Sequence, residues 1–345
     1  MSNPNFDNQI IEIRGDAYER GFQTGALLKK AIRRELKFSK DMYQQPDKRK
    51  LIQTIGDGLR ENYAYIYREI QGRSDGAKVE FDHYLYFLLH EFENNRPAVH
   101  ERCTSIMVST EQNRILAHNE DGNYTADCLR IVKNVYENGN VFYEIADIDN
   151  LPSSTIMVRE DYAWTMNYIA FDRFNLENLP TYFFLRVLCE CRTIEAFFDT
   201  FQRIPITGAC HLNVCDKKTK KLYSMEKVID EVSVAEVKGV NIHANHFMHD
   251  AFIRYRPAFQ PSYQNGDNSY NQQMVAEHLA GDRKDLNAKE VFDILTYYGA
   301  CDFNSVLSKK NNGHHGLTMG TYLLDLNNDT NRLFLHNKHN DIVVF

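Results

Sequence analysis

The stretch HERCTSIMVSTEQNRILAHNEDG, residues 100–122, contains two apolar runs separated by the polar triplet EQN. Apolar runs on either side of a short polar turn predict a β hairpin. The same pattern recurs where LRIVKNVYE and VFYEIADI flank NGN, and where STIMVR and YAWTMNYIAF flank ED. Three consecutive hairpins predict antiparallel sheets in this part of the chain.

Helical periodicity dominates the chain before this stretch. Between residues 16 and 96, apolar residues recur at steps of three and four, which indicates one buried stripe. The clearest run is Ile52, Ile55, Leu59, Tyr63, Ile66 and Ile70. We therefore expect residues 1–102 to form a helical N-terminal segment and residues 103–345 to form a sheet-rich domain.

The remainder of the chain alternates between helical and strand-like sequence patterns. Helices are expected near residues 181–202, 271–280 and 288–297. Strands are expected near residues 209–215, 221–228 and 240–245, and in the segments GTYLLDL, RLFLH and DIVVF. Helices grouped between hairpins predict an α+β fold in which helices cover antiparallel sheets.

Charge and hydropathy exclude several classes of partner. The 345-residue chain has a formal net charge of -7, and its Lys and Arg residues are scattered, which disfavours a nucleic-acid partner. Its N-terminus lacks the apolar core of a signal peptide, and no apolar stretch is long enough to span a membrane. We expect a soluble, cytoplasmic protein with no membrane partner.

The cysteine and histidine patterns do not predict a disulfide framework or a metal site. Seven cysteines in a chain without a signal sequence argue against paired disulfides. Cys189 and Cys191 form C-x-C within a helical pattern, which is not zinc-ribbon spacing. The histidines of NGHH and HNKH have no consistent carboxylate or cysteine partner in sequence. We therefore expect no metal and no cofactor.

The register of the first hairpin bears on the role of Cys103. A turn centred between Gln112 and Asn113 would place Cys103 opposite Gly122 and beside Asp121. A carboxylate does not activate a thiol, because like charge raises the pKa of a thiolate, but it can hold an ammonium group. If the chain began at Cys103, the free α-amino group could accept the thiol proton near neutral pH. An ordinary buried strand cysteine is the alternative.

The segment CTSIMV followed by AHNEDG resembles the acyl-coenzyme A:6-aminopenicillanic acid acyltransferase family, which are cysteine N-terminal nucleophile hydrolases. Four further segments are similar to that family, in the expected order: EIRGDAYERGFQTGALLKKAI, GACHLNVCDKKTKKLYSMEKV, NIHANHF and TMGTYLLDL. The resemblance implies a four-layer αββα sandwich. It also implies a precursor that cuts itself before a nucleophilic cysteine.

The resemblance implies roles for particular residues. Cys103 matches the nucleophile, and Asp121 matches the carboxylate near the amino group of that cysteine. Asn245 matches an asparagine whose side-chain amide helps to hold the tetrahedral oxyanion. Asn119 and Glu120, which alternate in face beside Asp121, are candidate pocket residues. The implied substrate is a small-molecule amide or acyl thioester, and the sequence does not distinguish hydrolysis from acyl transfer.

Two positions depart from the family pattern. Arg102 stands where the family usually has glycine before the nucleophile, and a side chain there restricts strained backbone conformations during self-cleavage. The late arginine of the family is missing, and the nearest cations are Lys309 and Lys310. A lysine supplies charge without the planar fork of arginine, so Lys309 is only a candidate contact for a substrate carboxylate.

Three functions remain open from the sequence. The favoured one is an amide-bond hydrolase or acyltransferase that is cut between Arg102 and Cys103, with its two fragments associated. The second is an uncleaved family member that acts as a binding or interaction module. The third is a hydrolase in which an internal Cys103 pairs with His243 or with a histidine of GHH, although a core histidine is the expected role of His243 and His246.

Overall fold

The computed structural model describes residues 10–39, 42–92, 102–122, 130–146, 148, 151, 156–169, 171, 174–256, 268–300, 305–309, 317–336 and 342–344. The α-helices in these residues are α1 (Ala17–Glu35), α2 (Pro46–Asn62), α3 (Ala64–Ala77), α4 (Phe81–Leu88), α5 (Thr181–Leu188), α6 (Ile194–Arg203), α7 (Asn268–Ala280) and α8 (Ala288–Leu295). Short 3-10 helices cover Leu36–Ser39, His90–Phe92 and Asp250–Tyr255. No helix in these residues is long and apolar enough to cross a bilayer.

The strands of the described residues form one eight-stranded and one six-stranded sheet. The first sheet has the order β1 (Ile11–Gly15), β4 (Arg130–Tyr136), β5 (Val141–Ala146), β6 (Ile156–Val158), β7 (Tyr162–Tyr168), β8 (Ala209–Asp216), β9 (Lys221–Val228) and β10 (Glu231–Glu236). The second has the order β11 (Gly239–His243), β2 (Arg102–Ser109), β3 (Arg114–Gly122), β12 (Leu317–Asp325), β13 (Thr330–Leu335) and β14 (Ile342–Val344).

The three predicted hairpins are present as β2–β3, β4–β5 and β6–β7. Strand β1 was not predicted, and it lies parallel to β4 at the edge of the first sheet. A parallel edge strand needs a distant partner, and no local sequence pattern reveals which strand that partner is. The N-terminal segment therefore contributes a strand to the first sheet as well as helices.

Three apolar cores separate four layers. The largest core joins helices α1–α6 to one face of the first sheet, through residues such as Val132, Trp164 and Leu212. A second core lies between the two sheets and contains Met107 and Leu116 of the second sheet. The third packs α7 and α8 on the outer face of the second sheet. This is the predicted four-layer αββα sandwich, with each sheet burying both faces.

The predicted stripe from Ile52 to Ile70 packs in the largest core. It spans two helices, because Tyr63 has φ -138° and ψ 51°, outside the helical region, and separates α2 from α3. Likewise, the helix expected over residues 181–202 is α5 followed by α6. The side chain of Thr193 caps the start of α6 by accepting a hydrogen bond from the amide of Ala196.

A buried ion cluster links the N-terminal helices to α5. Oε2 of Glu69 accepts a hydrogen bond from Nε of Arg186 at 2.7 Å and lies 3.8 Å from Nη2 of Arg20. Nη1 of Arg186 also donates to Oε1 of Glu190 at 2.6 Å. Glu69 and Arg186 are almost wholly buried. The cluster therefore depends on charge pairing between residues far apart in sequence.

Replacement of Glu69 by alanine is expected to lower the free energy of unfolding by about 3–5 kcal/mol, because it leaves buried guanidinium groups without their carboxylate. Urea unfolding followed by circular dichroism measures the loss. The matched control is Asp293→Ala, which breaks the exposed ion pair with Lys289 and should cost at most about 1 kcal/mol. Equal losses in the two variants would contradict a structural role for the cluster.

Candidate active site

The β2–β3 hairpin places Cys103 directly opposite Glu120, not opposite Gly122 as predicted. The amide of Thr110 donates to the carbonyl of Asn113 at 2.9 Å, and the amide of Asn113 donates to Oγ1 of Thr110 at 3.0 Å. These bonds centre the turn one residue earlier than expected. The numbers of two paired residues add up to twice the turn centre. A turn centred one residue earlier therefore shifts the pairing by two positions.

In the observed register, Asp121 is adjacent to the residue opposite Cys103 but lies on the other face of the sheet. Residues directly opposite each other in an antiparallel pair share a face, so Cys103 and Glu120 lie on the face toward the first sheet, while Asp121 pairs with Arg102 on the other face. The carboxylate of Asp121 accepts hydrogen bonds from Gln272 at 3.0 Å and Thr318 at 2.6 Å. Asp121 therefore links β3 to α7 and β12.

Asn245 meets the backbone nitrogen of Cys103. The Cys103 amide donates to Oδ1 of Asn245 at 2.8 Å. Nδ2 of Asn245 donates to the carbonyl of Tyr168 at 2.9 Å, and the Asn245 amide donates to Oγ of Ser269 at 2.7 Å. Bonds to β7 and α7 thus fix the side chain of Asn245, and its carbonyl oxygen faces the nitrogen of Cys103.

His118 is a residue of this site that was not predicted from the sequence. Its Nε2 lies 3.4 Å from Oε2 of Glu120, and a ring nitrogen of His118, a carboxylate oxygen of Glu120 and Sγ of Cys103 all lie within 4.8 Å of one another. Burial lowers the pKa of His118 to about 3, so the imidazole is neutral at pH 7. Because side chains alternate along a strand, the sequence HNE places His118 and Glu120 on one face, and this pattern could have identified His118.

A polar network lies behind His118 between the sheets. Nδ1 of His118 is 2.8 Å from Oγ of Ser105, which donates to Oδ1 of Asn167 at 2.8 Å. Nδ2 of Asn213 donates to Oγ of Ser105 at 2.9 Å. These side chains come from β2, β3, β7 and β8, so the packing of the two sheets assembles the network. Buried polar groups bonded in this way hold one orientation of the ring.

His243, the histidine considered as a base for Cys103, is bonded elsewhere. Its Nε2 contacts Oε1 of Glu226 at 2.9 Å, and its Nδ1 contacts the carbonyl of Ala244 at 2.7 Å. The ring stacks on His211 with centroids 3.4 Å apart. Both ring nitrogens of His243 therefore have partners other than the thiol of Cys103.

The other histidines that were considered fall in different places. Nδ1 of His246 contacts Oγ of Ser269 at 2.7 Å, and its ring stacks on Tyr270. The first histidine of HNKH, His336, contacts Oγ1 of Thr321 at 2.8 Å. The last histidine of HNKH and both histidines of GHH lie outside the described residues.

Two of the remaining candidates have structural contacts. Asn119 donates to the carbonyl of Leu295 at 2.7 Å and accepts from Oγ1 of Thr321 at 2.7 Å, which joins β3 to α8 and β12. The ammonium of the exposed Lys309 lies 4.4 Å from the centre of the Tyr298 ring. Lys310 lies outside the described residues. Among the predicted site residues, the structure brings together Cys103, Glu120 and Asn245.

Buried neutral histidines predict acid sensitivity of the fold. Burial lowers the pKa of His246 to about 3 and that of His211 well below its usual value. The unfolded chain, with histidine pKa values of about 6.5, binds more protons below that pH than the folded chain does. Stability is therefore fully present above pH 6.5 and is lost as the pH falls from 6.5 toward 3.

We expect the free energy of unfolding, measured with urea, to fall between pH 7 and pH 5 by about 1 kcal/mol or more for each such histidine. His246→Gln should reduce the pH dependence, because glutamine does not titrate. Buried carboxylates contribute little in this interval, since their ordinary pKa values are lower. An unfolding free energy that is the same at pH 5 and pH 7 would contradict the prediction.

Comparisons with known proteins identify a family and several relatives of this chain. The family described as acyl-coenzyme A:6-aminopenicillanic acid acyl-transferase matches residues 108–340. The chain is 30% identical over 128 residues to beta-alanyl-dopamine/carcinine hydrolase of Drosophila melanogaster, covering 32% of this chain and 33% of that protein. The match thus spans about a third of the relative's length.

Two solved structures are also similar to this chain. One is a Caenorhabditis elegans N-acylethanolamine-hydrolyzing acid amidase ortholog, with a TM-score of 0.45 and 16% identity over 65% of this chain and 93% of that chain. The other is penicillin V acylase from Agrobacterium tumefaciens, with a TM-score of 0.38 and 10% identity over 68% of this chain and 83% of that chain.

Proposed function

Because the chain belongs to the acyl-coenzyme A:6-aminopenicillanic acid acyl-transferase family of amidohydrolases and acyltransferases, we propose that it cleaves a small-molecule amide through a thioester on Cys103. The observation that carries this proposal is the placement of Cys103 at the start of β2. Its backbone nitrogen meets Asn245, and its sulfur lies beside His118 and Glu120. Sulfur, amide carbonyl and ring nitrogen thus converge from separate strands and loops.

The proposed reaction proceeds in two acyl-transfer steps. The sulfur of Cys103 attacks the acyl carbonyl, the tetrahedral intermediate expels the amine together with a proton, and a thioester remains. Attack by water then releases the acid, or attack by another amine or thiol completes a transfer. Side-chain amides such as that of Asn245 can stabilise the negative charge on the intermediate, which is the role that the family resemblance implies for this residue.

The proton acceptor in this proposal is the α-amino group of Cys103, formed by cutting the bond from Arg102. In the uncut chain, Oδ1 of Asn245 accepts a hydrogen bond from the Cys103 nitrogen. The same oxygen can hold the free amine after the cut. An amine with a pKa of about 7.7–8.0 accepts the thiol proton readily near neutral pH.

For the cut itself, the Cys103 thiol attacks the carbonyl carbon of Arg102, and the peptide nitrogen leaves with a proton. Water then hydrolyses the resulting thioester, which frees the carboxyl group of Arg102 and regenerates the thiol. Arg102 lies in β2 with extended backbone, where glycine would reach strained conformations more easily.

A cationic acyl group is the substrate type that best matches the site. Glu120 places a buried carboxylate near the Cys103 sulfur. The similar Drosophila protein is named for hydrolysis of beta-alanyl-dopamine and carcinine, and a β-alanyl group carries an ammonium that a carboxylate attracts. We therefore propose β-alanyl amides as the first substrates to test. Lys309 stays a candidate contact for a substrate carboxylate.

The thioester can be trapped directly. Acid quenching during turnover of β-alanyl-dopamine is expected to leave one β-alanyl group on the peptide that contains Cys103, measured by mass spectrometry and released by hydroxylamine. The matched control Cys191→Ala removes another buried free cysteine and should retain the adduct. Turnover of the amide with no adduct on Cys103, even under rapid quenching, would argue for direct attack by water.

A second candidate mechanism uses an internal cysteine and His118. The neutral ring of His118 lies in the same cluster as the Cys103 sulfur, and its nitrogen can accept the thiol proton without any cut. This histidine differs from His243 and the histidines of GHH, which are the candidates from the sequence. The state of the bond between Arg102 and Cys103 in active enzyme distinguishes the two mechanisms.

A further inference from the structure

The hydrogen-bond network behind His118 determines which ring nitrogen carries hydrogen. Nδ2 of Asn167 donates to the carbonyl of His243 at 3.1 Å, so its Oδ1 faces Ser105 and accepts the hydroxyl hydrogen of that residue at 2.8 Å. Asn213 donates to the same Ser105 oxygen at 2.9 Å. Since the single hydrogen of Ser105 is used on Asn167, Nδ1 of His118 must donate to the Ser105 oxygen.

In this tautomer, two hydrogen-bond acceptors face each other. Nε2 of His118 then has a lone pair, and it lies 3.4 Å from Oε2 of Glu120, which as a carboxylate oxygen also has lone pairs. Two acceptors cannot share a hydrogen bond, and in a buried place they repel each other. A positive centre between the two atoms, either a proton on Glu120 or a metal ion, would remove this repulsion.

We propose that Nε2 of His118, a carboxylate oxygen of Glu120 and Sγ of Cys103 bind a Zn²⁺ ion. The three donor atoms lie within 4.8 Å of one another. Tetrahedral zinc with bonds of about 2.0–2.3 Å separates its ligands by roughly 3.3–3.7 Å, which the 3.4 Å between His118 and Glu120 already matches. The sulfur reaches this spacing by a small rotation of its side chain.

The chemistry of the three donors favours zinc. Thiolate, imidazole and carboxylate are its usual protein ligands, and three of them leave a fourth position for water. Zinc-ligating histidines commonly donate their other N–H to a hydrogen-bond acceptor that fixes the ring, and Ser105 has this place behind His118. Hard cations such as Mg²⁺ prefer oxygen ligands and are disfavoured here.

Metal binding at these atoms goes beyond the proposed amidase activity, because it blocks that activity reversibly. The Cys103 thiol loses its proton to solvent as the zinc–sulfur bond forms. The lone pair of the sulfur that would attack a carbonyl is then held by the zinc. Zinc and a β-alanyl substrate also compete for the carboxylate of Glu120. The site therefore predicts an enzyme that free Zn²⁺ inhibits and a chelator restores.

Cobalt provides a direct probe, because Co²⁺ bound to a thiolate has a charge-transfer absorption and Co²⁺ in a tetrahedral site has strong visible bands. The full-length protein, stripped with a chelator, should develop both features on titration with Co²⁺ and reach one ion per chain. Zn²⁺ should then displace the cobalt. A protein that develops no charge-transfer band would show that no metal binds to the Cys103 sulfur, and the proposal would be wrong.

Isosteric variants assign the ligands. Cys103→Ser should abolish the charge-transfer band, and His118→Asn and Glu120→Gln should each weaken Co²⁺ binding by about tenfold or more. Ser105→Ala should weaken it by a similar factor through loss of ring positioning. Cys191→Ser and Glu111→Gln, which alter another free cysteine and an exposed acid of the same hairpin, should change the affinity less than twofold.

Circular dichroism establishes that each variant is folded, and Cys103→Ala repeats the cysteine result if the serine variant is not. A charge-transfer band that persists without Cys103, or an affinity unchanged in both His118→Asn and Glu120→Gln, overturns the site. Because the readout is a spectrum and not amine release, these outcomes do not depend on whether the chain is an amidase.

Discussion

Replacement of Cys103 by alanine is expected to lower amide turnover by at least about four orders of magnitude, because removal of a covalent nucleophile eliminates the acyl-enzyme route. Release of dopamine from β-alanyl-dopamine, measured by chromatography under saturating substrate, gives the rate. The sulfur is buried at the start of β2, and its loss leaves only a small cavity. The fold should therefore persist, with an unchanged circular dichroism spectrum.

The matched control is Cys191→Ala, since Cys191 is another buried free cysteine whose thiol donates to Oγ1 of Thr200 at 3.4 Å. It should retain activity within about twofold, because its thiol has no place in the proposed reaction. Full amide turnover by folded Cys103→Ala would remove the central claim. Loss of turnover in both variants together with loss of fold would instead assign the cysteines a structural role.

The purified active enzyme is expected to consist of two associated fragments, residues 1–102 and 103–345. Denaturing electrophoresis should resolve them, and N-terminal sequencing of the larger fragment should begin at Cys103. The Cys103→Ala variant should remain a single chain of 40.3 kDa, because the attacking thiol is absent. The Arg102→Gly variant, which has the glycine usual in the family, should be cut faster than the wild-type chain, as measured by the same electrophoresis.

The fragments should stay together under native conditions for two physical reasons. Strand β1 and helices α1–α4 share one apolar core with the first sheet, and separating them would expose that apolar area to water at about 25 cal/mol per Å². Glu69 of the first fragment and Arg186 of the second form a buried ion pair, which is costly to break on one side. Size-exclusion chromatography should therefore give one species.

Intact wild-type enzyme would overturn the cleavage proposal. If a single uncut chain hydrolyses amides at the full rate, Cys103 has no free α-amino group and the base must be a side chain. His118 is then the residue to replace, and His118→Asn should abolish turnover without changing chain length. If the chain is cut and His118→Asn stays active, the amino-terminal mechanism stands.

Much of the fold could be predicted because it depends on short-range patterns. Alternation of apolar residues and polar turns indicated the β2–β3, β4–β5 and β6–β7 hairpins, and the family resemblance implied four layers. The same information did not reveal β1, which pairs with β4 across more than a hundred residues. It also did not reveal the break at Tyr63, because the apolar spacing continues through it.

The candidate site was predictable in its central residue and not in its surroundings. Cys103 and Asn245 were identified from their motifs, and they lie in contact. The predicted register places Asp121 on the face of β3 opposite to Cys103, and it lies there, but the residue directly across from Cys103 is Glu120 instead of Gly122. A turn centre that is wrong by one residue shifts the pairing by two positions, which keeps each side chain on its face and changes the residue that it meets across the hairpin.

The sequence by itself determined the hairpins and the nucleophile candidate, because these follow from local periodicity and from the motif around Cys103. Only the tertiary structure decided what surrounds the sulfur. His118 and Glu120 share a face of β3, while Asn167 and Asn213 of the first sheet hydrogen-bond to Ser105, which contacts His118. Contacts between two sheets depend on strand register and layer packing, which are summed over the whole chain and leave no local pattern to read.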